Sequence, residues 1–158
     1  FCSVHTAPAD DVVIHILGSE EVCVAARPSP PFFAAAHCDV AALARHAWVL
    51  PDKGNAIWVG FNGFFRSAGL EPPTPAVVTN SVHTIKTLVA EAGYLTMMTR
   101  VIFSLEEQNR LILPIPMPAA HWQREILLAR RAHATLLPTA RLFYRAFKRE
   151  ARLMAENT

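Results

Sequence analysis

Two short polar clusters hold the side chains best suited to grip a small molecule. Thr79-Asn80-Ser81 places two hydroxyls and an amide where an expected strand hands over to a helix. Free backbone amides at a helix start carry a partial positive charge, so a carboxylate or phosphate is a natural guest there. Asn and Ser are equally ordinary helix caps, and the pattern by itself leaves both roles open. Thr96-Met97-Met98-Thr99 follows the next expected strand, where side chains at the carboxyl ends of parallel strands line a cleft. Met97 and Met98 serve as well for adaptable core filling, which makes the threonines the better ligand donors.

Other chemistries lack their residues. His5, His15, His37, His46, His83, His121 and His133 show no HxxxH or HExxH spacing, so no metal and no cofactor is expected. No GxSxG elbow is present, and Cys2, Cys23 and Cys38 form no CxxC pair, so no catalytic nucleophile is assigned. Gly60 and Gly63 fall inside an amphipathic helix pattern and not in a phosphate loop. In the last helix Arg141, Arg145, Lys148, Arg149 and Arg152 form a basic side. Glu150 and Glu156 dilute it, so it reads as a solvated face.

The elements that would position these residues alternate between strand and helix, which indicates an α/β class. Val12 to Leu17 and Glu21 to Ala26 read as two strands joined tightly at Gly18-Ser19. Arg27-Pro28-Ser29-Pro30-Pro31 forbids helix and forms a crossing. Asp39 caps a short helix through Ala44, and Ala47 to Leu50 is a compact strand ended by Pro51. From Asn55, the apolar residues Ile57, Phe61, Phe64, Phe65 and Ala68 recur at helical spacing up to Gly69. Ala76 to Thr79, the helix from Val82 to Ala92, and Tyr94 to Met98 read as a β-α-β unit with a parallel pair. A short helix at Val101 to Gln108, a strand at Leu111 to Ile115, a second extended passage through Pro114, Pro116 and Pro118, and a strand at Glu125 to Ala129 follow. The last helix starts at Pro138 and is expected to turn Leu142, Phe143, Ala146, Phe147 and Met154 inward, with the basic residues outward.

The chain has 158 residues, 15 Lys and Arg against 13 Asp and Glu, and a formal charge of +2. That balance is too mild to imply nucleic-acid binding by this segment alone. Charged residues interrupt every apolar run before the roughly 18 residues of a membrane span. No secretory signal opens the sequence, and three cysteines fit a reducing cytoplasm. The start at Phe1 reads as an N-terminal truncation.

Val22 to Pro31, then Leu43 through Trp48-Val49-Leu50-Pro51, then Phe61 to Gly69 with Pro72-Pro73 behind it, resembles the effector-binding domain of LysR-type transcription regulators. Leu88 to Gly93 before a strand, Leu111 to Pro116, Arg124-Glu125-Ile126 and Arg130-Arg131 continue the resemblance over nearly the whole chain. Pro30 stands where that family generally has His, Tyr94 where a small residue is common, and Gly60 and Gly63 where longer side chains are usual.

The resemblance implies an α/β, two-lobed fold like a type 2 periplasmic binding protein, with two hinge crossings and the first lobe incomplete. Residues 1–31 would be the remainder of lobe one and the first crossing, 32–113 lobe two, and 114–158 the return crossing with the last strand and helix of lobe one. It further implies a non-enzymatic sensor that holds a small, anionic effector between lobes and thereby modulates DNA binding. The expected contacts are Asn80, Ser81, Val82, Thr96 and Met97, with His5 and Thr6 from lobe one. Its partners would be a second copy, as dimer or tetramer, and DNA only through an absent helix-turn-helix domain. A solute-binding protein or cleft-based enzyme of the same architecture is the rival, needing respectively an export signal and a reactive cleft side chain.

Overall fold

The computed structural model describes residues 2–3, 11–29, 32–33, 39–133, 135 and 137–156. In chain order the elements are β1 (Cys2–Ser3), β2 (Val12–Ala26), α1 (Val40–Ala44), β3 (Val49–Leu50), α2 (Ile57–Ser67), β4 (Val77–Val78), α3 (Val82–Ala90) and β5 (Thr96–Thr99). A 3-10 turn (Arg100–Phe103), α4 (Ser104–Gln108), β6 (Leu113–Pro114), a second 3-10 turn (Pro118–Ala120), β7 (His121–Arg131) and α5 (Pro138–Glu156) complete them. The chain forms two compact units, one of Glu21–Trp122 and one of Phe1–Glu20 with Gln123–Thr158. The stretch 32–113 lies wholly within the first of these, which also takes in its flanks.

In the Glu21–Trp122 unit, β3 and β4 pair in parallel, Val49 with Val77 and Leu50 with Val78. A parallel bridge joins Trp48 to Leu95. The carboxyl half of β2 runs antiparallel to β5, with Val24 opposite Met97 and Ala25 opposite Thr96, and its end also pairs with β6. Successive strand residues point to opposite faces. Val22, Val24, Trp48, Leu50, Leu95 and Met97 accordingly join Phe61 and Phe65 of α2 in one core cluster. Cys23, Ala25, Val49 and Met98 join Ile85 and Val89 of α3 in another. Helices on both faces explain why these strands are apolar throughout instead of alternating.

Trp48 sits at the centre of the first cluster, fully buried. Its indole stands edge-on to Phe61 and Phe65, with centroids 4.9 and 5.6 Å away. Its ring N–H donates to the Leu43 carbonyl at the end of α1 at 2.9 Å. The expected caps form as the side chains dictate: Asp39 accepts from the Ala42 amide, and Gly69 takes the left-handed backbone, φ 73°, that follows α2. Gly60 has a packing reason, because a Cβ there would lie 3.1 Å from the Trp122 ring, whereas one at Gly63 would meet nothing within 4 Å.

In the other unit, β1 pairs antiparallel with β7, Cys2 opposite Leu128, and β7 neighbours β2. The Ala132 amide donates to the Asp11 carbonyl at 2.6 Å. Tyr144 of α5 stands edge-on to His15 of β2, centroids 5.6 Å apart.

Three expectations are corrected. The two strands expected on either side of Gly18-Ser19 are one strand of 15 residues. Gly18 does not take a left-handed backbone, and Glu20 and Glu21, which would end an apolar strand, are held by Arg124 and by Arg100 with His121. The strands before and after α3 do not pair with each other, since β3 bonds to β4 on one side and meets Leu95 on the other. Two-residue strands leave room for this insertion, which spacing along the chain does not reveal. In α5, Leu142 and Phe143 are exposed by 67% and 65%, while Tyr144 and Lys148 meet His15 of β2. Tyr144 and Lys148 are one helical turn apart, so the contact at His15 sets the rotation of the helix and turns its apolar stripe outward.

Gly63→Ala is expected to stabilise the protein by about 0.5–1 kcal/mol, as an alanine in an open helix interior does. Gly60→Ala should gain less or lose, because the Trp122 ring must shift. Urea unfolding of both variants measures the difference, and equal gains would show that Trp122 does not constrain Gly60.

Candidate functional site

The parallel strands β3 and β4 end side by side, and two loops leave their carboxyl ends. Thr79 continues the pairing, its amide donating to the Leu50 carbonyl at 2.9 Å. Asn80 then clamps the two loops together. Its Oδ1 accepts from the Asp52 amide at 3.0 Å, and its Nδ2 donates to the Asp52 carboxylate. Ser81 caps α3 with an extended backbone, φ −76° and ψ 103°. Its Oγ accepts from the Thr84 amide at 3.2 Å and from the Thr84 hydroxyl at 2.9 Å, and its own amide donates to Thr79 Oγ1 at 3.2 Å.

This leaves a defined electrostatic edge. Among the described residues, the amides of Val82 and His83 meet no protein acceptor, and both residues are exposed. The first turn of α3 has no acidic residue to occupy that position. Two N–H groups therefore face solvent at the positive end of the helix. The Asp52 charge lies in the same neighbourhood but is engaged by Asn80. On the same loop as Asp52, Lys53 lies 5.8 Å over the Trp58 ring, and the Trp58 ring N–H donates to the Pro51 carbonyl at 2.6 Å.

The residues singled out in the sequence divide accordingly. Asn80, Ser81 and Val82 come together at this edge, Asn80 as the clamp and Ser81 as the cap. Thr96 and Met97 lie behind it, both fully buried. The Thr96 hydroxyl donates to the Val49 carbonyl at 2.9 Å, and Met97 belongs to the Trp48 cluster. His5 and Thr6 lie outside the described residues. Asp52 was missed: a carboxylate directly after a strand and Pro51 was the available signal, but its partner is 28 residues away.

One other cluster has the residue types of an acid–base site. His121 Nδ1 lies 2.6 Å from Glu21 Oε1 and its Nε2 lies 2.7 Å from the Ile115 carbonyl. Arg100 meets Glu21 at 2.9 Å and also Glu107, Nε to Oε2, at 2.9 Å. Both ring nitrogens face acceptors, which leaves no free nitrogen to take a proton from a substrate. The hydrogen bonds from His121 and then Arg100 hold the Glu21 carboxyl below its ordinary value of 4.5, and the ion pair with Lys86 does the same for Glu106. Beside them, burial pushes the Cys23 thiol up to about 12, which keeps it unreactive at neutral pH. Among the described residues no group of His, Cys, Asp or Glu is placed to hold a metal ion, and no helix is long and apolar enough to cross a membrane.

Compared with known proteins, residues 3–152 match the family described as LysR substrate binding domain. No curated protein matches the chain. Among solved structures it is similar to the regulatory domain of CcmR from Synechocystis PCC6803 in complex with 2-PG, at 14% identity and a TM-score of 0.81, covering 95% of this chain and 72% of that one. The apo regulatory domain of HypT from Salmonella typhimurium aligns at 9% identity and 0.75, covering 96% and 72%. The effector binding domain of QuiR in complex with shikimate aligns at 15% and 0.73, covering 96% and 70%. At these identities the likeness establishes the fold, a two-lobed α/β architecture.

The depressed Glu21 and Glu106 carboxyls contribute stability that is present above their unfolded value and lost as pH falls through the folded one. Urea stability is therefore expected to drop as pH falls through the acid range below about 5. Glu21→Gln should be less stable at neutral pH and lose less over that interval. An unchanged acid slope in this variant would remove Glu21 from the acid response.

Proposed function

The chain belongs to the LysR substrate-binding domain family, and from that premise we propose that it senses a small anionic effector at the α3 edge and passes the signal to a DNA-binding domain of a full-length regulator. The observation that carries the anionic assignment is the pair of exposed, unpartnered amides at Val82 and His83 with no carboxylate in the same helical turn. An anion there accepts two N–H bonds and lies against the positive end of the helix dipole. Asn80 holds the edge in place through Asp52, Ser81 keeps the first turn wound, and Thr96 and Met97 form its buried support. His5 and Thr6 complete the proposed contact set.

Binding is proposed to act by population shift. An effector that prefers one conformation of the domain biases the assembled regulator, by no more than its difference in affinity between the two states. A homodimer or tetramer in the cytoplasm is the proposed working form, and no bond in a substrate is made or broken. The 2-PG and shikimate named with the CcmR and QuiR domains support a small-molecule effector.

Val82→Pro tests the site without dismantling it. Proline is tolerated at the first helical position, and the extended backbone of Ser81 suits a following proline. Thermal unfolding of the chain is to be followed against a panel of small carboxylates, amino acids and phosphorylated metabolites. A ligand at about 100 times its dissociation constant adds about 2.7 kcal/mol. At least one panel member is expected to raise the unfolding temperature, and Val82→Pro should cut that shift with little change in the unliganded value. A shift that survives Val82→Pro in full moves the effector away from α3.

A further inference from the structure

The fold leaves the apolar side of α5 uncovered. The helix meets β2 through Tyr144 and Lys148, which lie against His15. Residues four or seven apart share a line along a helix. Round α5 from the His15 contact come, in order, the row Arg141, Arg145 and Arg149, the row Leu142, Ala146 and Leu153, and the row Phe143 and Phe147. All eight residues are exposed, the last phenylalanine by 39% and Leu153 by 46%. Leu137, just before the helix, is exposed by 74%. The Phe143 and Phe147 rings stack with centroids 5.6 Å apart, which makes one flat apolar surface of the two.

A contiguous stripe of large apolar side chains in water marks a surface that another body covers, and charge indicates which kind. The helix holds five Lys and Arg against two Glu in a chain of net charge +2, so the positive excess of the whole chain resides on α5. Glu150, which falls between the leucine and phenylalanine rows, is paired with Arg149 at 2.9 Å. The arginine row borders the stripe along its length. A second copy laid stripe to stripe would bring two such cationic helices together against their repulsion. A nucleic-acid backbone would answer the arginines and leave the leucines and phenylalanines in water. The stripe also spans two rows, wider than the seam a single partner helix covers. A broad surface, apolar within and anionic at its rim, satisfies both sides of α5 at once.

We propose that α5 docks on the surface of an anionic lipid bilayer, with Leu142, Phe143, Phe147 and Leu153 seated at the boundary of the acyl chains and Arg141, Arg145 and Arg149 on the headgroups. The attachment is peripheral, since no described helix is long and apolar enough to cross a membrane. Arginine stems add apolar contact while the guanidinium groups reach the polar layer. The helix is already wound and held at His15, so docking carries little ordering cost. Neither family membership nor the α3 edge enters this inference.

The test sediments the whole chain with vesicles of equal parts phosphatidylglycerol and phosphatidylcholine, and separately with vesicles of phosphatidylcholine alone. Binding to the anionic vesicles is expected, weaker with added salt and at least about tenfold weaker on phosphatidylcholine. Joint replacement Phe143→Ser and Phe147→Ser should weaken it at least about tenfold, with urea unfolding little changed because both side chains are exposed. Arg141→Gln with Arg145→Gln should weaken it and flatten its salt dependence, and Val82→Pro should leave it unchanged. In Phe143→Trp, the added emission should move to shorter wavelength on the anionic vesicles. No sedimentation with anionic vesicles, equal binding to both lipids, undiminished binding in the double serine variant, or unmoved Phe143→Trp emission on bound vesicles overturns the proposal. So does an oligomer in solution that comes apart in the double serine variant, which would give the stripe to a second copy. Tighter binding of an acidic amphipathic helical peptide, lost in the same variant, would give it to a protein and likewise overturn the proposal.

Discussion

The arrangement of the Glu21–Trp122 unit hangs on the burial of one indole. Trp48 is too large to be hidden by a single neighbour and too polar at its ring nitrogen to be hidden without a partner. The Leu43 carbonyl supplies that partner, which ties α1 to β3. The aromatic faces of α2 close over the ring, and the main-chain carbonyl of the same residue accepts from Ala76 and Val77 at the start of β4. Its bridge to Leu95 brings in the strand that follows α3. One buried side chain thus sets where two parallel strands end, and with them the loops from which a binding edge is made.

The edge itself is built from backbone more than from side chains. Asn80 and Asp52 satisfy each other, Ser81 is occupied by Thr84, and Thr96 by Val49. What remains available is a pair of main-chain N–H groups whose direction is fixed by the cap. A dipolar edge selects by geometry and tolerates varied anions.

Much of the local structure was legible along the chain. Asp39, Ser81 and Gly69 occupy the cap positions their types predict, and the spacing of Ile57, Phe61, Phe64 and Phe65 marks the buried face of α2. These succeed because the relevant interactions span three or four residues. Reading failed where the deciding partner is remote. Gly18-Ser19 looks like a turn until Arg124, Arg100 and His121 are seen to receive Glu20 and Glu21. Thr96 looks like a ligand donor until the Val49 carbonyl, 47 residues away, is seen to accept its hydrogen bond. The apolar stripe of α5 looks like an inward face until the contacts of Tyr144 and Lys148 at His15 fix the rotation of the helix.

By itself, then, the sequence determined the α/β class, the positions of the helix starts and stops, the family resemblance carried by the order of segments, and the presence of a capped helix at Ser81. Those follow from periodicity, capping chemistry and backbone restriction, all of which act within a few residues. Only the tertiary structure decided which strands are neighbours, which of Asn80, Ser81 and Thr96 have their hydrogen-bonding capacity taken up, and that His15 and Lys148 meet. The reason is that hydrogen-bond satisfaction and charge compensation are properties of what surrounds a group in space, and residues more than a hundred positions apart supply those surroundings here.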